Sequence, residues 1–120
     1  MTDKRFATQM LPAPVLEEAI NNVLHVHSLV GPAHGIVPAS QETASGDTIT
    51  LNVYDSDGAE QWSHSVVLTE SSAGKPVELT IPKALFEKML NAGMNARLQY
   101  SNDRAGNVRQ SLPLEITLKG

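Results

Sequence analysis

The stretch Gly46-Asp47-Thr48-Ile49-Thr50-Leu51-Asn52-Val53-Tyr54 sets Ile49, Leu51 and Val53 at every second position, with polar residues and Tyr54 between them. Successive side chains of an extended strand point to opposite faces, so this segment buries one row and wets the other. The same period returns at Val77, Leu79 and Ile81, and at Leu112, Leu114, Ile116 and Leu118. Half-buried strands in the middle and at the end of a chain are the mark of antiparallel sheets packed on one face.

Working outward, Asp55-Ser56-Asp57-Gly58 carries the Asp-Gly chemistry of a tight hairpin turn, and a return strand is expected over 61–68 with Trp62, His64, Val66 and Leu68 on one face. Residues 69–76 are turn-rich and lead into the 77–81 strand. Alternation then gives way to pairs four apart, Leu85 with Met89 and Phe86 with Leu90, which predicts one short helix near 82–91 that starts at Pro82 and ends at Asn91 or Gly93. Ala96, Leu98 and Tyr100 alternate again, 102–107 turns, and 112–118 closes the chain. Upstream, Pro12 and Pro14 restrict the segment ending at Val15 to an edge strand, Asn21-Asn22 marks a turn, 23–26 continues the strand, and Ile36-Val37 is a weaker one. The expectation is an all-β, antiparallel β-sandwich of about seven strands. Its two inner faces draw on Val15, Ile49, Leu51, Trp62, Leu79, Leu98, Tyr100, Ile116 and their neighbours, with residues 1–9 a loose leader and 10–120 a single domain.

Nine Lys and Arg against thirteen Asp and Glu give a formal charge of −4, with no basic run beyond Lys4-Arg5, so there is no electrostatic footprint for nucleic acid. Apolar runs are far shorter than the roughly twenty residues that span a bilayer, which argues against membrane insertion, and the first residues lack the apolar region of a signal peptide. The absence of cysteine removes disulfides, thiolate metal sites and thiol nucleophiles together.

Few residues suggest chemistry. Asp55 and Asp57, with Asp47 or Asp103, offer hard oxygen donors to calcium, although a full site takes roughly six to eight oxygens and the Asp-Gly turn accounts for the motif alone. His25 and His27 would share a strand face and, with His34 or His64, supply zinc-type ligands; two exposed neutral imidazoles are the simpler account. Ser63, His64 and Ser65 hold nucleophile and base types, but strand neighbours face opposite ways and no nucleophile-elbow pattern is present. Glu17-Glu18 reads as a solvated edge rather than a glycosidase pair. Of Phe6, Tyr54, Trp62, Phe86 and Tyr100, most have core-facing phases, which leaves few rings for a sugar platform.

The segments Gly46-Asp47-Thr48-Ile49-Thr50-Leu51 and Gly74-Lys75-Pro76-Val77-Glu78-Leu79-Thr80-Ile81-Pro82, with Leu11-Pro12-Ala13-Pro14-Val15 and Ser111-Leu112-Pro113-Leu114, resemble bacterial immunoglobulin-like repeat domains over roughly residues 10–119. Such domains belong to modular adhesin- or invasin-type surface and secreted proteins, notably of Pseudomonas-like bacteria. The resemblance implies an immunoglobulin-like sandwich, a non-catalytic spacer or adhesion unit, a cell-surface or secreted location, a protein or glycan partner, and a monomer or a repeat within a longer chain. The alternative expectation is a stand-alone carbohydrate- or calcium-binding sandwich; no cofactor is expected, calcium aside.

Overall fold

In the computed structural model, which describes residues 11–39 and 43–120, the stretch with Ile49, Leu51 and Val53 at alternate positions forms β4 (Thr48–Asp55), with these three buried and the polar row half-buried opposite. The chain reverses through Gly58 at φ +86° and returns as β5 (Glu60–Val67), which places Trp62 across from Val53 and His64 across from Leu51. The other strands are β1 (Val15–Leu16), β2 (Val23–His25), β3 (Ala33–Val37), β6 (Val77–Ile81), β7 (Ala96–Arg104), β8 (Asn107–Gln110) and β9 (Leu114–Lys119), with helix α1 (Lys83–Asn91) between β6 and β7. The expected leader over 1–9 lies outside the described residues.

Among the described residues these strands form two sheets packed together in a sandwich-like β fold: a three-stranded sheet in the order β1-β3-β6 and a six-stranded sheet in the order β2-β9-β7-β4-β5, with β8 beside β7. Both inner faces are apolar, and Leu51, Val53, Ile81, Phe86 and Leu98 are completely buried between them. At Gly35 on β3 the larger sheet approaches closely through Leu51. A Cβ there would sit 2.7 Å from Leu51 Cδ2 and 3.3 Å from Ile81 Cδ1, so the missing side chain sets the spacing. At one end Asp47, 1% exposed, closes the interior through a fork from Arg104, whose Nε and Nη2 donate to its two carboxylate oxygens at 2.8 and 2.9 Å.

Helix α1 follows the expected pairs: Phe86 and Met89 are buried, Leu85 and Leu90 pack at the margin, and Pro82 precedes the first turn. The helix packs beside the 3₁₀ turn Val26–Ser28, where Lys83 Nζ donates to the Leu29 carbonyl at 2.8 Å.

Several expectations are corrected. β7 runs on to Arg104, through the start of the turn expected over 102–107, and a two-residue turn at Ala105-Gly106, both at positive φ, returns an unexpected strand, β8, against its second half, ahead of the closing strand. Ser111 then makes the step to β9: its N–H donates to the Tyr100 carbonyl at 2.9 Å while its Oγ accepts from the Tyr100 N–H at 3.0 Å. Leu112 lies in this step and is 49% exposed rather than core. Val15 is 51% exposed because Leu16, its neighbour, takes the inward phase. Trp62 is only half-buried, since β5 is the outermost strand of the larger sheet. The pairing is antiparallel except between β2 and β9, which run parallel with Leu24 opposite Leu118.

Candidate functional site

The β1–β3 register sets Val15 opposite Ile36 and Leu16 opposite Gly35. One step further the Glu17 N–H donates to the His34 carbonyl at 2.9 Å, and that step brings a pair of glutamates against a histidine. Glu18 holds the histidine twice. Its Oε1 accepts from the His34 backbone N–H at 2.8 Å and its Oε2 lies 2.5 Å from Nδ1 of the ring. Among the described residues, Glu17, Glu18 and His34 are the one group of acidic and imidazole side chains whose donor atoms converge, all within 4.8 Å of one another.

The electrostatics follow from this contact. The hydrogen bond from Glu18, with further attraction from Glu78 and Glu17, holds the His34 imidazole above its ordinary pKa against partial desolvation. Desolvation pushes the Glu18 carboxyl up, but the bonds from the His34 side chain and backbone outweigh it and leave it below the usual range. Imidazolium and carboxylate are the forms the pair stabilises in each other.

A cleft of about 560 Å³ opens on this pair, between the segment around Glu18 and Ile20 and the link from Ser28 to Pro32. Leu29 and Pro32 line it, His25 stands on its wall, and Ile20 and Val30 are 71% and 104% exposed. Its chemistry is an apolar trough with an imidazole–carboxylate pair at one end.

The residues singled out from sequence are distributed elsewhere. Asp55 is buried in its turn: Oδ1 accepts from the Ala59 and Asp57 N–H groups at 3.0 and 2.9 Å, Oδ2 accepts from Gln61 Nε2 at 2.8 Å, and these bonds, Ala59 first, lower its pKa. Asp57 is exposed in the same turn. Asp47 is engaged by Arg104, which holds its carboxyl at about 2, and Asp103 accepts the Gly106 N–H at 3.0 Å. The four aspartates thus serve turns and one ion pair, and they do not converge.

His25 and His27 do not share a strand face. β2 ends at His25, and His27 lies within the 3₁₀ turn with its ring against Gly120. His64 stacks on Trp62, ring centroids 6.0 Å apart. Ser63 and Ser65 lie on the opposite face of β5, Ser65 Oγ 2.8 Å from Thr50 Oγ1, so the Ser-His-Ser run brings no hydroxyl to the imidazole. Of the rings, Phe86 and Tyr100 are buried, and burial pushes the Tyr100 hydroxyl up to about 12; Phe6 lies outside the described residues.

The Glu18–His34 contact was not visible in the linear chain, where the partners stand sixteen residues apart and Glu17-Glu18 reads as a wetted edge. Its signal is the register: once β1 is paired with β3, Glu17 and His34 must meet. No helix among the described residues is long and apolar enough to cross a membrane. Comparison with known proteins found no matching family model, no matching curated protein and no matching solved structure.

Proposed function

We propose that this chain is a non-catalytic, immunoglobulin-like interaction module, of the spacer or adhesion type found in modular bacterial surface and secreted proteins, that meets its partner through the cleft beside His34. The observation that carries the topology is the order in which the chain visits the two sheets. β1 lies in the smaller sheet, β2 in the larger, β3 in the smaller, β4 and β5 in the larger, β6 returns to the smaller, and β7 to β9 complete the larger. With β2 and β8 set aside as additions, that sequence of visits parallels the A, B, C, C′, E, F, G progression of an immunoglobulin sandwich without its D strand. Two hallmarks of antibody domains, the inter-sheet disulfide and the strand-C tryptophan, have no counterpart, since the chain has no cysteine and Trp62 sits on β5.

Binding rather than catalysis is supported by the placement of reactive groups. The imidazole of His34 faces carboxylates, and the serines of β5 face away from His64. An apolar trough with a small polar end, rimmed by exposed Ile20 and Val30, suits a partner's apolar side chain.

Two measurements test the reading. Amide-resolved NMR on the whole chain should show parallel β2–β9 contacts and antiparallel β3–β6 contacts; any other pairing refutes the immunoglobulin order. Thermal melts with millimolar calcium chloride and with a panel of sugars should show no shift, because a ligand that binds only the native state raises the midpoint. A calcium- or sugar-dependent rise would install the carbohydrate- or calcium-binding alternative, and turnover of chromogenic esters or glycosides that is lost in His34→Ala would overturn the non-catalytic assignment.

A further inference from the structure

We propose that Glu17, Glu18 and His34 form a site for a divalent cation of the zinc class at the open edge of the three-stranded sheet. The donor set is mixed, one imidazole and two carboxylates, which suits a borderline ion such as Zn²⁺ better than calcium, whose shell is built from many oxygens. The proposal does not depend on the immunoglobulin reading, because it rests on the β1–β3 register alone.

Three features make the group more than a chance meeting of acids. All three residues are tied to one backbone ladder: the Glu17 N–H bonds the His34 carbonyl, and the His34 N–H bonds Glu18 Oε1. The Glu18 carboxylate and the His34 ring are thus held together without an ion, and the ladder keeps Glu17 beside them, so less ordering is required when one arrives. His34 lies on β3, the central strand of its sheet, which gives the imidazole a rigid base. The cleft with His25 on its wall opens on Glu18 and His34, which leaves the side of an ion facing it accessible to water or to a donor brought by a partner.

Zinc ligands bond at about 2.0–2.1 Å, so donors around one ion stand roughly 3.3 Å apart. The Glu18 Oε2 to His34 Nδ1 contact is 2.5 Å, which means that the ion enters by replacing this bond and spreading the two atoms by about 1 Å. Glu18 remains anchored meanwhile through Oε1 on the backbone N–H. To ligate through Nδ1, the ring gives up the proton that bridges to Glu18, to Nε2 from a neutral ring or to solvent from a charged one.

The test is calorimetric titration of the whole chain with zinc chloride in a non-coordinating buffer, with calcium chloride as the control ion. One equivalent should bind, calcium should give no comparable isotherm, and His34→Ala and Glu18→Gln should each weaken zinc by more than about tenfold, since even an outer partner of a ligating histidine contributes at least that much. His64→Ala should leave the isotherm unchanged. In parallel, imidazole ¹⁵N spectra of the unaltered protein should show the His34 ring nitrogens moving with zinc while those of His27 and His64 stay in place, a readout that does not depend on any variant folding. Absence of a zinc isotherm, an undiminished one in His34→Ala, or shifts at His27 or His64 in place of His34 would each overturn the assignment.

Discussion

Replacing Gly35 with alanine adds one carbon where Leu51 of the facing sheet packs on β3, and the geometry specifies the cost. The new Cβ would lie 2.7 Å from Leu51 Cδ2 and 3.3 Å from Ile81 Cδ1, and both neighbours are completely buried, so the ends of their side chains must shift within the core. Overpacking of this kind costs about 1–3 kcal/mol. Gly35 has no positive φ, so alanine also stiffens the unfolded chain without backbone strain and recovers about 0.4–1 kcal/mol. The net expectation is a loss of about 1–2 kcal/mol. Urea denaturation followed by circular dichroism and Trp62 fluorescence would read it as a lower midpoint at unchanged slope. Leu51→Ala alone should cost about 2–5 kcal/mol. In that background the 2.7 Å clash is gone and only the 3.3 Å approach to Ile81 Cδ1 remains, so Gly35→Ala should become neutral to stabilising by up to about 1 kcal/mol, a change that direct coupling of the two residues produces. A neutral Gly35→Ala in the parent, or an equal penalty in both backgrounds, would refute the claim that Gly35 sets the spacing against Leu51.

Asp47 gives a prediction in pH. Its carboxyl is held at about 2 against an ordinary 3.8, chiefly by Arg104, so the pair's contribution is complete above about pH 4 and is lost as pH falls through about 2. The shift corresponds to about 2 kcal/mol at most, and the exposure of the Arg104 side chain, 55%, brings the expectation nearer 1 kcal/mol. Asp47→Asn should therefore destabilise by about that amount at pH 6, and urea midpoints measured down to pH 2.5 should show the gap closing; a constant gap would mean that charge is not its cause. At the β7–β8 turn Ala105 sits at φ +51° ahead of Gly106, a conformation that asparagine adopts more readily, so Ala105→Asn should raise stability by up to about 1 kcal/mol, and a lower melting midpoint would contradict the turn assignment.

How much of this was legible in the chain depends on what each feature needs. β4, β6 and α1 rest on local period, and Ile49, Leu79 and Phe86 face inward as their spacing requires. The Asn21-Asn22 turn is likewise local: both residues are at positive φ, and Ile20 and Val23 exchange N–H to carbonyl bonds across them. β8 escaped because Asn107 to Gln110 carries no alternating apolar row; its ladder depends on β7 alone. The phase of Val15 is not local, because a two-residue strand offers no period and only the pairing of Leu16 with Gly35 sets which side faces inward. The same holds for Glu17, Glu18 and His34. Each is an ordinary surface residue until the sheet register brings them together, and register between strands so far apart along the chain is a property of the assembled core.

The parallel pairing of β2 with β9 has a mechanical consequence. Val23, Leu24 and His25 lie beside Thr117, Leu118 and Lys119 in the same direction, so the upstream end of one strand and the downstream end of the other point opposite ways. Tension applied through the two flanks of the domain would slide these strands along each other and strain their cross-links together, not peel them singly. A linkage loaded in that fashion yields abruptly at a threshold pull, and the parallel bridge of Leu11 to Ser111 and the β1–β3 pairing share the load upstream of it.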